Sequence, residues 1–169
     1  LVSGHLLPSA MAELRLTKAF LHAGLPVIGT ELGALILCAA AAGGADEAPL
    51  RLEMAEGRRV SAAALGGHLP ESFPLACYLR DRPVLPAAAE VLARDKHGTP
   101  LVFSIGTNSL GFLGHPGTKS GMVEDLIMEF ADTPPDTAET LAVLRDRQGE
   151  IATALSEMMV GICRHTGLM

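Results

Sequence analysis

Residues able to do chemistry concentrate between positions 106 and 120, directly after a short apolar run at 101–105 that predicts a buried strand. This stretch combines glycines with hydroxyls, one imidazole and one ammonium group. Glycines let backbone amides approach a ligand, and amides at the start of the helix from Ser120 favour an anion. We therefore predict that an anionic metabolite is held in this loop. The predicted ligand-binding residues are Gly106, Thr107, Asn108, Ser109, Gly114, Thr118, Lys119 and Ser120.

Three side chains are predicted to be catalytic: His115, His68 and Glu31. A neutral imidazole can act as acid, base or anchor, and His115 lies inside the glycine-rich loop. Glu31 follows Gly29-Thr30 and is either a general base or, as we favour, a charge stabilised at a helix N-terminus. Metal-ligand spacings such as HExxH and CxxC are absent from the sequence, so no metal site is predicted. The sequence leaves the cofactor open.

The glycine-rich loop does not match a nucleotide-binding motif. The segment GHPGTKS lacks the Walker spacing, and the chain contains no GxGxxG. The alternative is a surface loop whose glycines only form turns. Both interpretations stay open on the sequence alone.

Length and composition predict one domain over residues 1–169. Of these residues, 49% are hydrophobic and 19% charged, which favours a packed core over disorder. The net charge of −6 disfavours nucleic acid as a partner. Cys38, Cys77 and Cys163 are an odd number without metal spacing, which is typical of reduced thiols and of a cytoplasmic protein. The longest apolar run is too short to span a bilayer, so no membrane partner is expected.

The periodicity predicts an α/β domain with a mixed sheet, helices on its faces and two C-terminal helices. Parallel strands are expected at Leu25 and Leu101, and alternation predicts a β-hairpin. The predicted intervening elements are helices at 32–42 and from Pro86 to Gly98, the hairpin at 50–64, and a helical piece at 75–79.

The last predicted helix begins near Asp136 and has apolar residues at alternating steps of three and four. This face either packs on the core or forms a homodimer contact. The dimer residues would be Leu141, Leu144, Ile151, Leu155, Met158 and Ile162.

Two stretches of the chain, 4–35 and 66–113, share short similarities in the same order, notably Gly29-Thr30 and Gly106-Thr107. A structural duplication would make the two strands neighbours and bring both Gly-Thr turns to one cleft. The sequence thus favours a small-molecule enzyme or binding domain for an anionic metabolite. The alternative is a non-catalytic regulatory or sensory module that binds an apolar ligand and oligomerises through its last helix.

Overall fold

A mixed sheet of six strands lies at the centre of the computed structural model, which describes residues 9–129, 133–134 and 136–169. A second ladder of two strands lies apart from it. The strands are β1 (Ile28–Thr30), β2 (Gly44–Asp46), β3 (Arg51–Arg59), β4 (Ser72–Leu79), β5 (Arg82–Val84), β6 (Ala89–Arg94), β7 (Pro100–Ile105) and β8 (Ser109–Phe112). The helices are α1 (Ala10–His22), α2 (Leu32–Ala40), α3 (Ser120–Glu129), α4 (Thr137–Asp146) and α5 (Gln148–His165).

The order of strands in the large sheet is β1-β8-β7-β6-β3-β4. Strands β1 and β8 pair in parallel, and each of the other neighbouring pairs in this sheet is antiparallel. The small ladder joins β2 to β5. The prediction of a single α/β domain with a mixed sheet and C-terminal helices is confirmed.

The sheet curls until the free edge of β4 meets the segment that follows β8. His115 donates its backbone N–H to the Ala76 carbonyl oxygen at 3.2 Å, which forms an isolated antiparallel bridge. Gly114 permits this approach, because a Cβ there would lie 2.2 Å from the same oxygen. The curl brings the ends of β1 and β8 against the middle of β4.

Three predicted elements between residues 50 and 98 are wrong. The expected hairpin at 50–64 is one continuous strand, β3, which passes through Gly57 and pairs with β4. A Cβ at Gly57 would lie 2.5 Å from the Phe73 ring, so this glycine makes room for a side chain and does not turn the chain. The helical piece at 75–79 belongs to β4.

The helix predicted from Pro86 to Gly98 is also wrong, because β6 occupies the middle of this segment. A tight turn at its end explains the difference. The Asp95 carboxylate accepts the N–H groups of His97 and Thr99 at 2.8 and 2.7 Å, and Gly98 has φ +84°. This turn folds β7 back onto β6, so cross-strand pairing replaces the helix.

The expected parallel strands are not neighbours. Strand β8 lies between β1 and β7, and β1 runs antiparallel to β7 since β8 is parallel to one and antiparallel to the other. The two Gly-Thr turns therefore point to opposite ends of the sheet. They do not line the one cleft that a duplication predicts, and the duplication itself stays a prediction.

The apolar face of the last predicted helix packs against the rest of the chain. The last predicted helix is divided at Arg147 into α4 and α5. Met158 and Ile162 are buried in the main core, while Leu144 and Ile151 are buried in a second cluster with Val123. Leu141 and Leu155 are partly buried. A homodimer through all six residues would require this packing to open.

Candidate functional site

A sharp turn joins β1 to α2 and places Glu31 between them. We call the segment Gly29-Thr30-Glu31-Leu32-Gly33 the elbow. A Cβ at Gly29 would lie 2.5 Å from the carbonyl oxygen of Gly33, so the turn closes this tightly only with glycine at position 29. Hydrolases expose a nucleophile on a strand-to-helix turn with the same Gly-x-residue-x-Gly spacing. In this chain the central residue of that turn is a glutamate.

The backbone of Glu31 is strained. Its φ of +52° and ψ of −117° lie in a region that residues other than glycine rarely adopt, at a cost on the order of 1–3 kcal/mol. The turn is held by the Glu31 N–H, which donates to the Phe112 carbonyl oxygen at 2.8 Å. Such strain persists where the surrounding structure fixes it, and it clusters at functional sites.

The Glu31 carboxylate faces the curled edge of β4. One oxygen accepts a long hydrogen bond from the Tyr78 backbone N–H at 3.4 Å. Burial raises the pKa of the carboxyl above its ordinary value, and the hydrogen bond from Tyr78 offsets part of this shift.

His115 contacts the same edge of β4, since its backbone pairs with Ala76, two residues before Tyr78. The Gly117 backbone N–H donates to His115 Nδ1 at 3.1 Å. In the neutral imidazole the proton is therefore on Nε2, which makes that atom a hydrogen-bond donor. Thr118 is buried and donates its hydroxyl to the His115 carbonyl oxygen at 2.7 Å, which fixes the segment.

The predicted loop 106–120 is not one loop. Gly106, Thr107 and Asn108 form the hairpin turn between β7 and β8, and Ser109 is buried in β8. Asn108 donates its side-chain amide to the Gly24 carbonyl oxygen at 2.7 Å, before β1 begins. This half lies at the opposite end of β8 from His115, on the order of 20 Å away along the chain.

The other half of the predicted set stays near His115. Gly114 lies against Ala76 and Thr118 lies beneath His115, whereas Lys119 is exposed and Ser120 begins α3. His68 lies elsewhere, where its Nε2 is 2.9 Å from Arg164 of α5. Of the three predicted catalytic residues, Glu31 and His115 both hydrogen-bond backbone groups on the edge of β4, at Tyr78 and Ala76 respectively.

The sequence interpretation underrated Glu31 because it treated the residue as a helix N-terminal charge. The signal that could have found the site is the pair of glycines flanking Glu31 at a spacing of two, directly after an apolar run. Tyr78 and Ala76 gave no such signal, because they contact Glu31 and His115 through backbone groups that the curl of the sheet brings into reach.

No cluster of His, Cys, Asp or Glu suited to a metal ion occurs among the residues that the structure describes. Over the same residues, none of the helices combines the length and apolar character that crossing a membrane requires.

Comparison with known proteins finds solved structures with a similar fold but no matching sequence family. No family model and no curated protein sequence matches the chain. Among solved structures, it is similar to a glutamine amidotransferase from Thermotoga maritima with a TM-score of 0.77 and 15% identity, covering 96% of this chain and 72% of that one. A glutamine amidotransferase from Methylobacillus flagellatus has a TM-score of 0.76 and 18% identity, covering 94% of this chain and 70% of that one. The protein SMU.1228c has a TM-score of 0.73 and 20% identity, covering 90% of this chain and 69% of that one. The chain therefore has a glutamine amidotransferase-like fold.

Proposed function

We propose that this chain is a small-molecule-binding domain that holds a primary carboxamide, such as the side chain of glutamine, without hydrolysing it. The observation that carries the proposal is that Glu31 and His115 hydrogen-bond backbone groups only two residues apart, at Tyr78 and Ala76, on one edge of β4. The Glu31 carboxylate accepts from the amide NH₂ group. The Nε2–H of His115 donates to the amide carbonyl. The solved structures named glutamine amidotransferases support glutamine as the first ligand to test.

Binding without cleavage follows from the residue in the elbow. Acyl transfer uses a hydroxyl or thiol made nucleophilic by a neighbouring base, and the elbow presents neither at its centre. Cys38 and Cys77 are buried, and burial raises the pKa of the Cys38 thiol to about 12 and that of Cys77 still further. Neither thiol supplies a thiolate near neutral pH.

The tautomer of His115 supports the same conclusion. A histidine that acts as general base towards a nucleophile needs an unprotonated Nε2, with Nδ1–H held by an acceptor. Here Nδ1 itself accepts a hydrogen bond from Gly117, which is the opposite arrangement. His115 is prepared to donate a hydrogen bond and not to remove a proton.

A second candidate ligand is the anionic metabolite predicted from the sequence. Lys119 is exposed immediately before α3, and amides of the first helical turn favour negative charge. We propose this anion as the competitor in the same experiment, because it would use Lys119 and Ser120 and not Glu31.

Isothermal titration calorimetry with glutamine, glutamate and inorganic phosphate distinguishes the two. We expect glutamine to bind, and glutamate to bind about tenfold or more weakly, because its second carboxylate faces that of Glu31. Glu31→Ala should weaken glutamine binding about tenfold, the effect of one hydrogen bond to a charged group, and His115→Ala about fivefold, since its hydrogen bond joins neutral groups. Glu157→Gln on α5 is the matched control and should bind as the parent does.

An ammonia assay completes the test, and no release from glutamine is expected. Equal affinities for glutamine and glutamate would contradict the proposal, as would ammonia release abolished by His115→Ala. Phosphate binding that Lys119→Gln removes and Glu31→Ala leaves intact would favour the second candidate instead.

A further inference from the structure

A polar residue interrupts the apolar face that α4 and α5 share. The apolar residues of this face recur at steps of three and four, and Gln148 occupies the position between Leu144 and Ile151. Gln148 is the first residue of α5, and its side chain is partly buried. A polar group taken from water destabilises the fold unless it has hydrogen-bond partners. The partners of Gln148 therefore show what this residue does.

The side-chain amide of Gln148 holds two separate parts of the chain. Its Nε2 donates to the Leu144 carbonyl oxygen in the last turn of α4 and to the Thr118 carbonyl oxygen, at 3.1 Å in each case. Among the residues that the structure describes, no other donor reaches the Thr118 carbonyl oxygen. Gln148 thus connects the corner between α4 and α5 to the segment that contains His115.

The corner between the two helices is itself fixed to the body of the domain. Arg147, the residue between α4 and α5, contacts the Glu56 carboxylate of β3 at 2.9 Å. Ile151, one turn further along α5, is buried in the second core cluster. These contacts give Gln148 a defined position from which it holds Thr118.

Thr118 and Gly117 in turn hold His115. The Thr118 hydroxyl and backbone N–H both donate to the His115 carbonyl oxygen, at 2.7 and 3.1 Å. Gly117 donates its N–H to His115 Nδ1, and a Cβ at Gly117 would lie 3.0 Å from Leu155 Cδ2. Leu155 and Gln148 are seven residues apart and so lie on one face of α5. This face contacts both residues that orient the imidazole.

We propose that Gln148 is a positioning residue for His115. By holding the Thr118 carbonyl oxygen, it keeps the Gly117 N–H aligned with Nδ1, and the ring proton therefore stays on Nε2. Thr118 is buried, so its carbonyl oxygen would have to move towards water if it lost this donor. A displacement of about 0.5 Å is enough to disturb a positioned side chain. The effect on ligand binding rests on the function proposed above, whereas the effect on the tautomer does not.

The first test is NMR detection of the histidine side-chain nitrogens in the intact, ligand-free chain, at about pH 8.5, where an ordinary imidazole is neutral. In the parent we expect His115 to show one protonated nitrogen, Nε2, and one unprotonated nitrogen, Nδ1. Gln148→Met keeps the length of the side chain and removes both donors. Its two His115 signals should move towards each other, because the second tautomer becomes populated. Gln148→Lys retains a donor and should keep the parent signals.

Ile151→Val is the matched control, because it destabilises the same helix by removing one buried methyl group and leaves these hydrogen bonds in place. Its His115 signals should equal those of the parent. Equal shifts in Ile151→Val and Gln148→Met would overturn the inference, as would unchanged signals in Gln148→Met. If Gln148→Met does not fold, Thr118→Val replaces it. That variant removes the hydroxyl bond to His115 and should shift the signals in the same direction.

The second test is calorimetry with glutamine. Gln148→Met should weaken binding about threefold, part of the fivefold effect of His115→Ala, because a misaligned hydrogen bond is weakened and not lost. In the His115→Ala background the same substitution should have no further effect. Equal weakening in both backgrounds would overturn the inference. If the parent does not bind glutamine, the proposed function fails, and the tautomer measurement alone decides the role of Gln148.

Discussion

The two Gly-Thr turns of this chain have similar sequences and different structures. Gly29-Thr30-Glu31 ends a strand and opens α2, whereas Gly106-Thr107-Asn108 joins two antiparallel strands. A Cβ at Gly29 would clash with backbone, but one at Gly106 would meet no atom within 4 Å. At Gly106 it is the φ of +62° that favours glycine. The first glycine is required by packing and the second by backbone conformation.

This difference distinguishes the turn that carries the candidate site from the turn that does not. In the elbow, close contact between Gly29 and Gly33 forces the strain into Glu31 and exposes its carboxylate to β4. In the hairpin, the turn reverses the chain direction between β7 and β8, and the Asn108 side chain hydrogen-bonds only the Gly24 carbonyl oxygen. Strain beside a buried ionisable group indicates function more strongly than glycine content does.

The largest expected effect is that of Gly29→Ala. Its methyl group would lie 2.5 Å from the Gly33 carbonyl oxygen, and we expect the free energy of unfolding to fall by about 3 kcal/mol. Urea denaturation followed by circular dichroism measures it. The matched control is Gly33→Ala, where a Cβ meets nothing within 4 Å and the change should stay within about 1 kcal/mol. Equal stability of the two variants would remove the packing argument for the elbow.

A smaller effect is expected for Gly106→Ala, about 1 kcal/mol, because alanine pays only for the left-handed conformation. The same denaturation experiment applies. Gly106→Asn should lower the free energy of unfolding by less, since asparagine adopts this conformation more readily. If Gly106→Ala cost as much as Gly29→Ala, the two turns would not differ in the way proposed.

The smallest effect is a pH dependence at Glu31. Because burial raises the folded-state pKa above 4.5, the protonated carboxyl stabilises the fold below that pH, and this stabilisation is lost as the pH rises through the folded pKa. The parent should therefore lose stability relative to Glu31→Gln as the pH rises above 4.5 and through the raised folded-state pKa. Denaturant midpoints at several pH values measure this. The midpoint of Glu157→Gln should change with pH as that of the parent does. If the midpoint of Glu31→Gln also did so, the raised pKa of Glu31 would be contradicted.

The sequence by itself determined much of the outer framework. Hydrophobic periodicity located α2, α3 and the apolar strand β7, because each has a local pattern of apolar residues bounded by glycine or proline. It also singled out His115 and Glu31 as residues able to do chemistry. Within the segment 50–98, a short apolar run such as Val91-Leu92 in β6 suits a strand and a helix equally, so the helix was assigned incorrectly there.

Only the tertiary structure decided which of these residues meet. The curl of the sheet places Ala76 and Tyr78 of β4 beside both His115 and Glu31, through backbone hydrogen bonds that have no side-chain signature. Pairing of β1 with β8, and not with β7, sends the two Gly-Thr turns to opposite ends of the sheet. Contacts between residues distant in sequence fix these facts, and local propensity contains no information about them.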